Sequence, residues 1–585
     1  MSLPPTTQPT LTPQYHDVVI VGGGLSGMCV ACQLKRRFNI TDVKILEKED
    51  GLAGTWKVNT YPGCGCDVPA PVYSYSFRTK GDWSTFYPEQ NELRQYFETV
   101  AAEHNLRPNF HFQTTVKEAR FDNDTGLWHI WSEDWKRDSK EPGEKHHYVC
   151  KLFISAVGGL SQPKECDIAG HETFKGPIFH SARWDHSVEL KGKDVIVVGN
   201  GCSATQFVPR IAPQTKSLTQ IVRSAHWIAP HPHNPFDKIP GFKWLLQKSL
   251  FVRKLHRFLI WCVLESHFSV LLLNPIGRFS RWWWRTMCVN HVKKNAPKEY
   301  WNLLIPDQKK VLVGCKRRIL DDEYLPVLRQ PHVKLDGTKL ERIEERHVVM
   351  ADGRRLKADV IIMANGFATQ RAGHPMEIYG ARHDMRTHWK KYGGGGPINY
   401  RSSLNATFPN MGQLVAANSA TGHMSVIFTT ECQVNFILEI AKPVLAAPRP
   451  AQVAIDHVPG TPASEQVKRA RIPTFEVKLK AELDEQHWIA KAMSKLVFTS
   501  GCKSWYIDPS SGRVTVLYPD WQVNFMIRST FPKWADLQYT GLKNGLTRPD
   551  TVPWWKVLGD KLGLGHVSYV DPKDTPEIDR KSMDA

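Results

Sequence analysis

The chain carries one strand–glycine turn–helix fingerprint twice, and that repetition confines it to a small set of architectures. Asp17-Val-Val-Ile-Val-Gly reads as a buried parallel strand, a β-branched run closed by glycine. Gly22-Gly-Gly24-Leu-Ser-Gly27 follows, then helical periodicity from Met28 to Phe38 and a strand from Val43 to Glu47. In such a unit Gly22 permits the tight turn, Gly24 lets backbone approach a pyrophosphate, and Gly27 lets helix and strand pack closely. The helix N-terminus supplies free N–H groups and the positive end of its dipole. Glu47 lies 20 residues past Gly27, where a carboxylate accepts hydrogen bonds from ribose hydroxyls.

The second copy begins with Lys193 to Gly199, turns through Gly199-Asn-Gly201-Cys-Ser-Ala204 into a helix, and returns as Leu218 to Val222. Here Arg223, 19 residues past Ala204, stands where the acid is expected. A carboxylate would repel a 2′-phosphate and an arginine fork grips one, so this unit is expected to take NADPH rather than NADH.

A chain of 585 residues is too long for one ordinary core. A third apolar strand, Asp359 to Ala364, follows a hairpin-like stretch around Asp352-Gly353 and suggests that one nucleotide domain is inserted into another. The expected fold is α/β, with two Rossmann-like domains. The expected divisions are a flexible tail (1–14), the first part of one domain (15–160), the inserted domain (161–350), the second part of the first (351–545) and a C-terminal extension (546–585) with a frayed charged end. The inserted domain holds an aromatic, basic, helical insertion (236–304), and the second part holds a Pro-rich, loop-like stretch (446–473). Phe475 to Phe498 reads as a helix with Val477, Leu479, Leu483, Trp488, Ala492 and Leu496 near one face.

A net charge of +18 favours polyanions, but Lys and Arg are spread along the chain without a clustered stripe, so nucleic acid is not an expected partner. Twelve cysteines without framework spacing suggest reduced thiols in the cytoplasm. Cys64-x-Cys66 reads as small buried residues in a turn. The Pro/Thr-rich N-terminus lacks the apolar centre of a signal peptide. The most apolar stretch, 249–274, is broken by Arg253, Lys254, His256, Arg257 and Glu265. His226, His231 and His233 read as a solvated loop, and no metal is expected. Trp282-Trp283-Trp284, between Arg281 and Arg285, admits three readings: helical core, cap of a substrate channel, or membrane interface. Core is the expected one, and with it a monomer or weak homo-oligomer without membrane contact.

Two dinucleotide sites in one chain imply electron transfer between bound cofactors, with FAD and NADPH the usual pair. A flavin disulfide reductase needs two nearby cysteines stacked on the flavin, and Gly51-Leu-Ala-Gly-Thr-Trp56 offers none. Ala53-Gly54-Thr55-Trp56-Lys-Val-Asn-Thr-Tyr61-Pro62-Gly63-Cys-Gly-Cys-Asp67 resembles the long signature of Baeyer–Villiger monooxygenases, with every fixed position filled. Phe174-Lys-Gly176-Pro-Ile-Phe-His180-Ser-Ala-Arg-Trp184-Asp185 resembles the same family's fingerprint, in the place the family has it. Flavin monooxygenases that oxidise nitrogen or sulfur typically carry Tyr where Trp184 stands.

The resemblance implies FAD on Gly22, Gly24, Gly27, Glu47, Thr55, Trp56, Asp67, Tyr73 and Val116. It implies NADPH on Gly199, Gly201, Ala204, Arg223, Lys316 and Trp505. It further implies conversion of a ketone and O2 to an ester or lactone by way of a flavin C4a-peroxide, with Arg317 as the cation over the flavin and Asp67 as its partner. Arg318 leaves that register open by one residue. His180 is implied to couple the two domains rather than act as a base. Asn418-x3-Gly422-His423 resembles the flavin-adjacent turn, and Asn365 departs from the usual Ala-Thr-Gly. The aromatic insertion suggests a bulky, apolar ketone. Alternatives are an N- or S-oxygenating or epoxidising enzyme of the same fold, and an NADPH oxidase or reductase flavoprotein.

Overall fold

The computed structural model describes residues 8, 9, 11–136, 141–369 and 376–542. Most of the expected N-terminal tail and all of the 546–585 extension lie outside these residues. The first fingerprint is built as read: β1 (Gln14–Val21), α1 (Leu25–Phe38) and β2 (Val43–Leu46), with β1 and β2 parallel. Four strands extend this sheet: β3 (Phe110–His111), β4 (Thr114–Phe121), β5 (Trp128–Asp134) and β6 (Lys145–Ser155). β1 lies between the parallel strands β2 and β6, so both its edges are paired, and Val18, Val19 and Ile20, which point to alternate faces, are fully buried.

The chain then leaves for a second sheet. β7 (Ile178–His180), β8 (Asp194–Val198), β9 (Ser217–Ile221), β10 (Val333–Asp336) and β11 (Val360–Met363) pair in the order β10-β9-β8-β11-β7, all parallel. α2 (Cys202–Ile211) follows β8. The chain returns to the first sheet with β12 (Glu377–Tyr379) on β4 and β13 (Met411–Gln413) on β6. One parallel nucleotide sheet is therefore inserted between two parts of another. The hairpin around Asp352-Gly353 pairs His347–Met350 with Arg355–Lys357.

The 236–304 insertion is helical: α3 (Phe242–Lys248), α4 (Leu250–Ser266) and α5 (Pro275–Asn295). Asn274 caps α5 by accepting from Gly277 N–H. α6 (Val426–Ile440) packs on α1, with Ser26 Oγ 3.2 Å from Thr430 Oγ1.

Four expectations need correction. The stretch 446–473 is not simply loop: it holds the short helices Gln452–Ile455 and Glu465–Arg469, and His457 is buried on Asp122 at 2.8 Å. The residues before Leu479 are not helical. Thr474–Val477 (β14) pairs with Leu537–Thr540 (β15), and the helix α7 spans Leu479–Met493. Its buried face carries Ala481, Glu482, Glu485, Gln486, Ile489 and Met493, because partners such as His388 and Arg528 hydrogen-bond its acids, a compensation hydrophobic periodicity cannot register. Trp284 is core, but Trp282 and Trp283 are 56% and 52% exposed. The His226–His233 segment is not a solvated loop: Ile228–Pro230 forms a strand with Ile319–Asp321, half-burying His226 and His231.

Candidate active site between the two nucleotide folds

Gly22 and Gly27 stand where side chains cannot. Gly22 has φ +106°, and a Cβ there would lie 2.4 Å from the Ala156 carbonyl oxygen; one at Gly27 would lie 2.0 Å from the oxygen of Gly22. Gly24 caps α1 with no side chain accepting from its first turn and no acid in that turn, so the amide donors are left for a ligand. Glu47 is buried at the end of β2. It accepts from Gly23 N–H at 2.6 Å and Glu49 N–H at 2.8 Å. Burial raises its pKa, opposed by those two bonds. A carboxylate has further acceptor positions for ribose hydroxyls.

The second fingerprint repeats this. Gly199 has φ +118° and abuts Ala364 O, Gly201 caps α2 with open space in front of it, and Ala204 is fully buried. Arg223, just past β9, is exposed beside Lys316. Lys316 Nζ donates to Ser224 Oγ at 2.9 Å; burial and Arg223 lower its pKa. Among the described residues no carboxylate pairs with either cation. Two unneutralised cations beside a glycine turn suit a dianionic phosphate.

The signature segment joins the folds. Gly54, at φ +52°, lies against Gly24 so closely that a Cβ on it would meet Gly24 Cα at 2.9 Å. Thr55 is exposed and opens the short helix Thr55–Val58. Trp56 is buried and donates to Tyr73 Oη at 3.2 Å. Tyr61 donates to Gln206 Oε1 on α2 at 2.7 Å, and Gln206 donates on to Gly65 O at 3.0 Å. Gly63 (φ +76°) has no room for a Cβ, which would lie 2.7 Å from Gln206 O. Asp67 ends the segment by accepting two bonds from Arg317, Nε–Oδ2 at 2.7 Å and Nη2–Oδ1 at 2.6 Å.

This pair resolves the register: Arg317 is on Asp67, and Arg318 lies over the Trp284 ring at 4.4 Å. Burial alone would raise the Asp67 pKa, but Arg317 outweighs it and holds the carboxyl below the usual range. Burial opposes the Arg317 charge, and Asp67 more than restores it. Arg318 is lowered to about 10 by burial and by its neighbour Arg317. Both members of the Arg317–Asp67 pair keep 29% side-chain exposure, so the guanidinium reaches open space.

His180 is locked. Its Nε2 donates to Gly366 O at 3.1 Å and its Nδ1 accepts from Ala182 N–H at 3.0 Å. Burial lowers its pKa to about 4, so the ring is neutral at pH 7 with both nitrogens occupied, and both bonds stay within the inserted fold. Val116 is buried in β4, in one cluster with Val21 and Leu46 at the strand ends that carry Gly22 and Glu47. Trp505 is 41% exposed, its ring 4.4 Å from Tyr506. Asn418 (φ 53°) donates to Val514 O and Leu517 O, shaping the turn before α6.

The Asn418-x3-Gly422-His423 turn was singled out in the sequence, but its contacts and one cross-link had no sequence signal. Gly422 O lies 3.5 Å from Arg317 Nη1, and His423 is buried on Glu265 of α4 at 3.1 Å. Cys315, two residues before Arg317, forms a disulfide with Cys502, three before Trp505. That corrects the all-reduced reading for this pair: the two are 187 residues apart, and no local spacing marks them. The other ten cysteines are free; burial raises Cys64 to about 12 and Cys66 well above the usual range, so neither is a ready thiolate.

Comparison with known proteins agrees. Residues 20–89 match the NAD(P)-binding Rossmann-like domain, and residues 75–238 match the L-lysine 6-monooxygenase/L-ornithine 5-monooxygenase family. A Baeyer–Villiger monooxygenase of Streptomyces coelicolor is 32% identical over 88% of this chain and 91% of its own. One from Pseudomonas aeruginosa is 29% identical over 90% and 92%, and the FAD-binding monooxygenase ktnD of Aspergillus niger is 31% identical over 90% and 82%. The fold matches a polycyclic ketone monooxygenase of Thermothelomyces thermophila (TM-score 0.74, 20% identity, 92% of this chain and 91% of that one). It also matches closed cyclohexanone monooxygenase (TM-score 0.71, 22% identity, 91% and 100%). Fold and site define a two-nucleotide oxidoreductase of the monooxygenase class. The chain belongs to the Baeyer–Villiger monooxygenase family.

Proposed function

We propose that this enzyme uses FAD, NADPH and O2 to insert one oxygen atom beside the carbonyl of a bulky, apolar ketone, giving an ester or lactone. The observation that carries this reading is the two-bond Arg317–Asp67 pair set between two glycine fingerprints. FAD fits the first fold, on the α1 amides, Glu47, Thr55, Trp56, Tyr73 and Val116. NADPH fits the second, on the α2 amides around Ala204, with its 2′-phosphate on Arg223 and Lys316 and its ribose near Trp505. When bound and reduced by NADPH, the flavin supplies the activated oxygen.

The chain's own residues hold charge and exclude water. Arg317 stays protonated at any working pH and stabilises negative charge developing on the carbonyl oxygen. Asp67 fixes the guanidinium plane and leaves Nη1 directed at the Gly422 turn. His180 moves no proton; it ties the end of β7 to Gly366 beyond β11. The enzyme acts in the cytoplasm as a monomer or weak homo-oligomer. The match of residues 75–238 to amine-oxygenating enzymes supports a second reading, oxygen transfer to nitrogen, against which Trp184 and Asp185 stand.

The test is a panel of ketones and amines with purified protein and NADPH under 18O2, with products read by mass spectrometry. One labelled oxygen per NADPH in an ester supports the proposal. Label only in N-oxides or hydroxylamines, or only in hydrogen peroxide, overturns it.

A further inference from the structure

The helical insertion is apolar on the wrong side. Of the 19 large hydrophobic residues exposed among the described residues, 14 lie between Ile239 and Trp283. Scattered exposed apolar residues need no explanation, but a concentration of this kind does. On α4, Phe251, Leu255, Phe258, Leu259 and Val263 recur at helical spacing and face outward, with Phe251 74% exposed. The buried residues of the same helix are His256, Ile260 and Glu265. A helix facing water shows the reverse pattern. α5 continues the face with Ile276, Phe279, Trp282 and Trp283, while Gly277, Trp284 and Cys288 turn inward.

The charge around this face has one sign. Residues 238–285 hold nine Lys or Arg and one acid, Glu265, a balance of 9 − 1 = +8. That acid is buried on His423 and Val523 N–H and does not reach the surface. Lys243, Lys248, Lys254 and Arg278 are exposed among the apolar side chains. No helix among the described residues is long and apolar enough to cross a membrane.

We infer that α3, α4 and α5 form a docking face for an anionic bilayer surface, with the helices lying in the interface plane. Phe and Trp enter the acyl boundary, and the lysines meet lipid phosphates and carboxylates. A second copy of this chain fits less well, since a symmetric contact would oppose two faces of +8 each. The inner side of the same helices packs on the site: Glu265 holds His423, and Trp284 lies under Arg318. A ketone dissolved in the bilayer would thus meet the enzyme at the element that borders Arg317. That last step rests on the proposed function; the membrane contact does not, and the two fail separately.

The test is co-sedimentation of the full-length, FAD-loaded protein with phosphatidylcholine vesicles with and without phosphatidylserine. The protein should pellet with the anionic vesicles, less so at high salt. Phe258→Glu and Trp282→Glu, alone and together, change exposed positions and should each lower the partition coefficient about tenfold or more. Bound FAD and NADPH oxidation without lipid should not change. Lys248→Glu with Lys254→Glu should reduce the preference for phosphatidylserine. The inference is overturned if the wild type stays in the supernatant with both vesicles. It is equally overturned if the Glu variants pellet like the wild type. Light scattering that shows a dimer abolished by Trp282→Glu, without vesicle binding, would assign the face to a second copy instead.

Discussion

Arg223 and Lys316 are the residues proposed for the NADPH 2′-phosphate, and neither is neutralised by an acid among the described residues. A charged hydrogen bond of this kind contributes about 1.5 to 3 kcal/mol. Arg223→Ala should therefore raise the KM for NADPH about tenfold to a hundredfold and leave that for NADH nearly unchanged, as initial rates with both cofactors would show. Equal losses for both would remove Arg223 from the phosphate. The position was legible because an arginine interrupts a spacing that otherwise demands an acid. The partner of Asp67 was legible only through the family resemblance, which named Arg317 and left the register open to Arg318 until the Asp67 fork and the Trp284 ring each took one.

Among the elements, the signature segment acts as a strap. It presses Gly54 on Gly24, bonds Tyr61 to α2 and delivers Asp67 to Arg317. Gly63→Ala forces φ +76° on an L side chain and drives a Cβ toward Gln206 O, so it should cost at least about 2 kcal/mol. The expected readout is a lower thermal midpoint with weaker NADPH-driven flavin reduction; an unchanged midpoint would show that α2 does not bear on this turn. The βαβ units were legible because glycine turns and β-branched runs are local signals. The helix α7 was legible too, but its buried face was not, because its acids are buried against partners distant in sequence, such as His388 and Arg528. The Cys315–Cys502 link joins the Arg317 turn to the Trp505 segment and has no local signal either.

Across the whole molecule, several histidines are held neutral by burial. His147, His180, His226 and His383 are lowered to about 4, and His267 to about 3. A histidine lowered in the fold takes up its proton on unfolding first, so its contribution is present above pH about 6.5 and is lost as pH falls toward 4. Asp67, also lowered, adds a loss at still lower pH. The thermal midpoint should fall by several degrees between pH 7 and 4.5, and a flat profile would contradict the burial of these rings. The insertion of one sheet into the other places Asp67 and Arg317, 250 positions apart, in one pair. That they meet required the tertiary fold; that they should was legible only through the signature. The most direct measurement is Arg317→Ala followed by rapid kinetics and product analysis. NADPH should still reduce the bound flavin at a near-normal rate, while ester formation falls about 10²- to 10³-fold or more. Near-normal ester formation by this variant would contradict the account.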